Sequence, residues 1–258
     1  MLKFSANLSL LFTELELPQR FQAARQAGFS AVEMQFPYSL SAQQIRQELD
    51  RLELQLVLFN IAADDLLQGG EGLACVPEKH AQFRQSVDQA MAYADILKPH
   101  AVNVLPGRCL NPEKLADYWG TFITNLQYAA DAMQTLGVKT VFEAINTLDM
   151  PGFIISTGDQ MLEVLEQLNH PNLFMQYDIY HQHHMQQNMT DFITRHWARI
   201  GHIQFADCPG RGQPGTGAID FPQIFATIAK SGYLGWIGAE YKPVANLTDN
   251  FDWLKIQY

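Results

Sequence analysis

Short β-branched and apolar runs recur eight times along this chain, and segments of helical period separate them. The runs are Leu2–Asn7, Ala31–Phe36, Gln55–Asn60, Ala101–Leu105, Thr140–Ile145, Leu173–Asp178, His202–Ala206 and Trp236–Tyr241. Between them, Phe83, Val87, Met91, Ala94 and Leu97 repeat at steps of three or four, as do Leu115, Trp119, Phe122, Leu126, Ala129, Met133 and Leu136. That spacing lays one apolar stripe along a helix. Gly28, Gly137 and Gly232 stand where helices should stop, Ser41 and Asp220 where N-caps belong, and Asn111-Pro112 opens a further helix. Strands whose return path is a helix pair in parallel. Eight such units in 258 residues match the length of a closed (β/α)8 barrel. An open doubly wound sheet would carry a glycine fingerprint at its first turn, and Ser5-Ala-Asn-Leu-Ser9 has no glycine. No linker, low-complexity segment or composition break divides the chain, so residues 1–258 are expected to form one barrel domain.

Charge narrows the partners. Seventeen Lys and Arg face 27 Asp and Glu, a formal charge of −10 without segregation along the chain. Such a surface repels phosphate backbones and anionic lipid, so neither nucleic acid nor membrane is expected as a partner. Assembly into a homo-oligomer is compatible with the sequence. Cys75, Cys109 and Cys208 are odd in number and far apart, which suits a reducing compartment. The start, Met1 to Phe12, has an apolar cast, but Ser5, Asn7 and Ser9 interrupt it and Glu14 and Glu16 follow. A cytoplasmic location is the expectation.

In a barrel of this kind the reactive groups sit at the carboxyl ends of the strands. Those ends read Asn7, Glu33, Asn60, Asn103, Glu143, Asp178, Gln204 and Glu240. The later strands thus each deliver one oxygen donor to the same end: Glu143, Asp178, Gln204 and Glu240. Three carboxylates in one cavity repel each other unless a cation intervenes, and an all-oxygen donor set suits a hard ion, Mg²⁺ or Mn²⁺, better than Zn²⁺. Taken singly, each acid could instead face solvent and pair with a neighbouring Lys or Arg. Four at equivalent places in consecutive units favour a shared ion.

These blocks resemble the hydroxypyruvate isomerase family, within the xylose-isomerase-like TIM barrels that also include tagatose-type epimerases. The resemblance runs over essentially the whole chain, through Phe4-Ser-Ala-Asn-Leu-Ser9, Gly28-Phe-Ser-Ala-Val-Glu33, Glu143-Ala-Ile-Asn146, Gln176-Tyr-Asp-Ile-Tyr-His181 and Gly235-Trp-Ile-Gly-Ala-Glu-Tyr-Lys-Pro243. It implies metal ligation by Glu143, Asp178, Gln204 and Glu240, with Glu143 and Glu240 as the acid/base pair. The implied reaction is the interconversion of hydroxypyruvate and tartronate semialdehyde, and related members isomerise 2-oxo-tetronates. Asn146–Phe153 and Gly210–Gly217 look more like the hydroxypyruvate branch. Phe59-Asn60 stands where the family pattern has His-Asn, and Pro106-Gly-Arg108 where it has a Lys.

A small keto or aldehydo substrate with a carboxylate needs at least one cation, and Arg108, Arg211 and Lys242 each follow a strand; arginine offers the bidentate geometry. His181, three residues beyond Asp178, is placed to hydrogen-bond a substrate hydroxyl. Asp149 is placed either for the same work or for an Asx-turn before Pro151, and Asn60 for lining the pocket. His183 and His184 read as polar loop residues and His202 as structural. Gly210-Arg-Gly-Gln-Pro-Gly215 matches a dinucleotide fingerprint only formally, because the next helix begins near Asp220; a lid or substrate loop is the better reading. Competing functions are a ketose 3-epimerase on the same scaffold, a metal-dependent endonuclease for abasic DNA, disfavoured by the charge, and a non-catalytic barrel.

Overall fold

The protein is described here from a computed structural model that covers residues 2–243 and 249–255. Its strands are β1 (Lys3–Asn7), β2 (Ala31–Met34), β3 (Gln55–Asn60), β4 (Ala101–Val104), β5 (Lys139–Glu143), β6 (Leu173–Asp178), β7 (Ile200–Phe205) and β8 (Trp236–Ala239). They pair in parallel in chain order, and β8 returns to β1 to close the barrel. Several strands end earlier than the apolar runs suggested. The last rung between β5 and β6 pairs Glu143 with Gln176. Beyond it the Ile145 amide leaves the ladder and donates to the Ile155 carbonyl at 3.1 Å.

The helices α1 (Leu17–Gln26), α2 (Ala42–Leu52), α3 (His80–Leu97), α4 (Leu115–Gln134) and α5 (Gly158–Leu168) follow the first five strands. Two short helices, α6 (Ile179–His184) and α7 (Met189–His196), link β6 to β7, and α8 (Phe221–Ser231) precedes β8. After β8 the described residues form a 3₁₀ stretch, Asp249–Lys255, where the eightfold pattern led to the expectation of an α-helix. Capping follows the sequence signals. Ser41 and Gln44 close a reciprocal capping box on α2, and the Asp220 side chain accepts from the Gln223 amide at 3.0 Å. Pro112 opens a 3₁₀ turn that runs into α4.

Three apolar clusters form among the described residues: one gathers Ala63, Leu66, Leu105, Ile145 and Phe153, and the other two pack the barrel. The larger lies between barrel and helices, where Phe4, Phe205, Phe225 and Trp253 meet edge to face with ring centroids 5.0–5.3 Å apart. The smaller fills the floor of the barrel with Ala31, Val57, Leu58, Ala101 and Val141. Above that floor the interior turns polar. Strand pleat places residues two apart on one face, so Ser5 and Asn7, Gln176 and Asp178, and His202 and Gln204 stack inward in successive layers, all buried. Glu33 reaches into the space that Gly238 leaves free, and a Cβ at Gly238 would collide with its carboxylate.

Gly238→Ala is therefore expected to cost about 1–3 kcal/mol by overpacking, read as a lower midpoint in urea unfolding. An unchanged midpoint would mean that the Glu33 carboxylate has room to move.

Candidate active site

The site is built upward from Glu33, which is fully buried. Ser5 Oγ donates to its Oε2 at 2.8 Å, and His202 Nε2 lies 2.9 Å from the same oxygen. Asn7 Nδ2 and Gln204 Nε2 donate to Oε1 at 3.1 and 2.8 Å. Burial alone would raise its pKa. The His202 ring and the bonds from His202, Gln204 and Ser5 outweigh that and hold the carboxyl below its ordinary value. Glu33 also fixes the Gln204 amide: with Nε2 committed downward, Oε1 turns to Gln176 Nε2, 2.5 Å away.

At the mouth above stand Glu143, Asp178 and Glu240, all buried. Asn103 Nδ2 and Gln176 Nε2 donate to Glu143 Oε2 at 3.3 and 2.9 Å. Asn7 and Gln35 donate to Glu240 Oε1 at 3.0 and 3.1 Å. Arg211 reaches Glu240 Oε2 at 2.5 Å and lies 3.8 Å from Asp178 Oδ2. One guanidinium does not balance three carboxylates. Burial, with Glu240 and Asp178 adding, lifts Glu143 well above the usual carboxylate range. Glu240 is pushed up to about 7, by burial first and then by Asp178 and Glu33, against the pull of Arg211. Burial also raises Asp178.

His181 is buried between these acids, its Nε2 3.6 Å from Asp178 Oδ2 and 3.8 Å from Glu143 Oε1. Its tautomer follows from the neighbouring loop. Asn146 Oδ1 accepts from the Leu148 and Asp149 amides at 3.1 and 2.8 Å, which turns Nδ2 toward Asp149 Oδ2 (3.1 Å) and His181 Nδ1 (2.7 Å). Nδ1 therefore accepts, and the ring proton sits on Nε2, facing the acids. Burial and then Arg211 hold His181 well below its ordinary pKa, so it is a neutral donor. Asp149 also accepts from Tyr180 Oη at 2.9 Å.

A cavity of about 90 Å³ opens over this group, lined among others by Gln35, Asn60, Glu143, Asp149, His181, Arg211 and Glu240. Glu143 and Glu240 thus open into one space. Two expected cations are not in it. Arg108 donates from Nε to the Pro151 carbonyl at 2.7 Å and from Nη1 to the Gly69 carbonyl at 2.8 Å, stitching two loops together. The Lys242 side chain is exposed, and its backbone amide supports Arg211 by donating to the Arg211 carbonyl at 2.8 Å. Strand pleat dictates where a side chain points, whereas loops do not, and both residues lie in loops. The Gly210–Gly217 loop is folded around Asp207, a residue the sequence reading passed over. Its carboxylate accepts from the amides of Cys208, Gly215, Gly217 and Ile219 at 2.8–3.1 Å, which holds Arg211 over the cavity. Gln35 and Gln176 were missed as well, and the two-residue period from Glu33 and Asp178 would have found them.

Glu143, Asp178 and His181 each bring a potential ligand atom within 4.8 Å of the others. The surplus negative charge of the buried carboxylates is one that a divalent cation would balance. The arrangement defines a (β/α)8 enzyme with a small, acid-lined pocket suited to a cation. The sequence pattern of the xylose isomerase-like TIM barrel family matches residues 21–257. Hydroxypyruvate isomerase of Escherichia coli (strain K12) is 37% identical over 254 residues, 98% of each chain. A 2-oxo-tetronate isomerase of Pectobacterium atrosepticum is 37% identical over 97% of this chain and 96% of its own. A crystal structure from Brucella melitensis, described as an AP endonuclease, family 2, superposes with a TM-score of 0.95 at 33% identity, covering 99% of this chain and 98% of that one. The chain belongs to the xylose isomerase-like TIM barrel family and, within it, to the hydroxypyruvate isomerase group; it is an isomerase.

Glu33→Gln would set an amide N–H₂ against donors that now converge on a carboxylate, with an expected loss of about 3 kcal/mol in unfolding free energy. Retained stability would show that Glu33 is not the anchor. Arg108→Ala should leave global stability within about 0.5 kcal/mol while proteolysis near residues 69 and 151 accelerates. A raised KM without faster cleavage would return Arg108 to the role of substrate cation.

Proposed function

We propose that the protein interconverts hydroxypyruvate and tartronate semialdehyde, with Glu143 and Glu240 as the acid/base pair. The observation that carries this reading is the single small cavity into which both glutamates and Arg211 open. At about 90 Å³ it falls well below the ~300–1,000 Å³ of pockets for larger ligands, which favours a three- or four-carbon acid over a hexose. The two glutamates come from strands three apart around the ring and can address opposite faces of a planar intermediate.

One carboxylate removes a C3 proton from hydroxypyruvate, giving an enediolate. Protonation at C2 and transfer of the hydroxyl proton between the two oxygens complete the aldehyde isomer. Glu240, raised by burial against the pull of Arg211, is the acid/base partner of Glu143 in this reading. Arg211 is the cation for the substrate carboxylate, and the Nε2–H of His181 donates to a substrate oxygen. Mg²⁺ or Mn²⁺, held by Glu143, Asp178, Gln204 and Glu240, would supply Lewis-acid stabilisation of the enediolate charge. A second substrate, a 2-oxo-tetronate, is favoured by the equal identity to a 2-oxo-tetronate isomerase. The cytoplasm remains the expected compartment, and no helix among the described residues is long and apolar enough to cross a membrane.

Purified protein with Mg²⁺ or Mn²⁺ should turn over hydroxypyruvate, with a 2-oxo-tetronate and D-fructose as comparison substrates. EDTA should abolish the activity, and Glu143→Gln and Glu240→Gln should each lower it by ~10²–10⁴-fold. Turnover of fructose alone would replace this reading with an epimerase. Activity that survives both EDTA and Glu240→Gln would overturn the site.

A further inference from the structure

The opposite, N-terminal mouth of the barrel gathers bases in a protein of formal charge −10. Lys3 begins β1 and Lys139 begins β5, four residues below Asn7 and Glu143 on the same inward face. Lys3 Nζ lies 5.4 Å from the centroid of the Trp236 ring and Lys139 Nζ 4.9 Å from that of Phe174. These rings hold the ammonium groups by cation–π attraction but neutralise neither. His100, in the turn before β4, lies beside Lys139: its carbonyl accepts from the Lys139 amide at 3.3 Å, and its Nε2 is buried without a hydrogen-bond partner among the described residues.

The charges that shift Lys139 and His100 are basic. Lys139 is held below its ordinary pKa by burial and by Lys3, and His100 is pushed down to about 4 by burial and by Lys139, His202 and Lys3. The other cations nearby are already paired, Arg46 with Asp50 at 2.6 Å and Lys98 with Asp95 at 2.8 Å. Two open clefts share His100 and Lys139. One of about 270 Å³ extends past Phe174 to Trp197, and one of about 410 Å³ extends past Trp236 to Arg46.

We propose that this mouth binds a phosphate group, free or carried by a small metabolite, in the clefts that His100 and Lys139 share, with Lys3 on the Trp236 ring that borders one of them. A dianion sets an attraction against the repulsion that the half-buried Lys139 meets from the exposed Lys3, and lysine serves phosphate as a point charge. The clefts leave room for an organic tail on either side. Binding stabilises the fold by mass action, in keeping with the structural role of the N-terminal face of such barrels.

The test follows the His100 ring signals by NMR while the Mg²⁺-loaded protein is titrated with inorganic phosphate, with β-glycerophosphate, and with sodium chloride at matched ionic strength. Saturable shifts with phosphate, absent with chloride, are expected, and Lys139→Met should weaken binding at least tenfold. Lys3→Met, at an exposed position, gives the same reading should Lys139→Met fail to fold. Binding of inorganic phosphate alone identifies the free ion as ligand, and binding of both identifies the phosphoryl group. Shifts that track ionic strength, or affinity unchanged in the lysine variants, overturn the proposal.

Discussion

A carboxylate that the barrel cannot hydrate has to be solvated by side chains, and Glu33 is that carboxylate. It draws one hydroxyl, two amides and an imidazole from β1 and β7, and the last position around it exists because β8 carries Gly238. Its donors do not stop at Glu33. The Asn7 amide holds Glu240 with the same nitrogen, and the Gln204 amide, turned down to Glu33, leaves its oxygen to accept from Gln176, which in turn donates to Glu143. The positions of two groups at the site therefore descend from one buried charge beneath them.

Glu33 and the acids above it are equally buried yet shifted in opposite directions. Four donors surround Glu33, and it lies below its ordinary pKa. Glu143 has two amide donors and two acidic neighbours, and it lies far above. Desolvation is common to both, so the difference comes from donors and neighbouring charge. A structural carboxylate is saturated with donors. A working one is left short of them, which keeps it open to protons, cations and substrate.

This division also explains what was legible in the sequence. Helix caps at Ser41 and Asp220 and the inward set Glu143, Asp178 and Gln204 could be read because capping and pleat are local rules. The same pleat rule, carried one layer deeper, reaches Gln176 and Ser5; reading strand ends alone stopped short of them. Strand ends slipped by up to two residues because a ladder ends where its neighbour ends, as at Glu143 opposite Gln176. The loops were less readable. Arg108, Arg211 and Lys242 look alike in sequence, yet only Arg211 lines the cavity, since its loop is wound on the Asp207 carboxylate and Arg108 instead satisfies backbone carbonyls.

The placement of Arg211 has a consequence for the proposed chemistry. Without substrate its guanidinium is the counter-charge of Glu240, and that attraction opposes the rise in the Glu240 pKa that burial drives. A substrate carboxylate that engages Arg211 draws on the same donors. In the proposed reaction Glu240 would then lose part of its stabilisation as an anion and hold a proton more tightly. In that reaction substrate binding and the change at Glu240 would be one electrostatic event, which a neutral sugar, with no carboxylate to engage Arg211, would not set off.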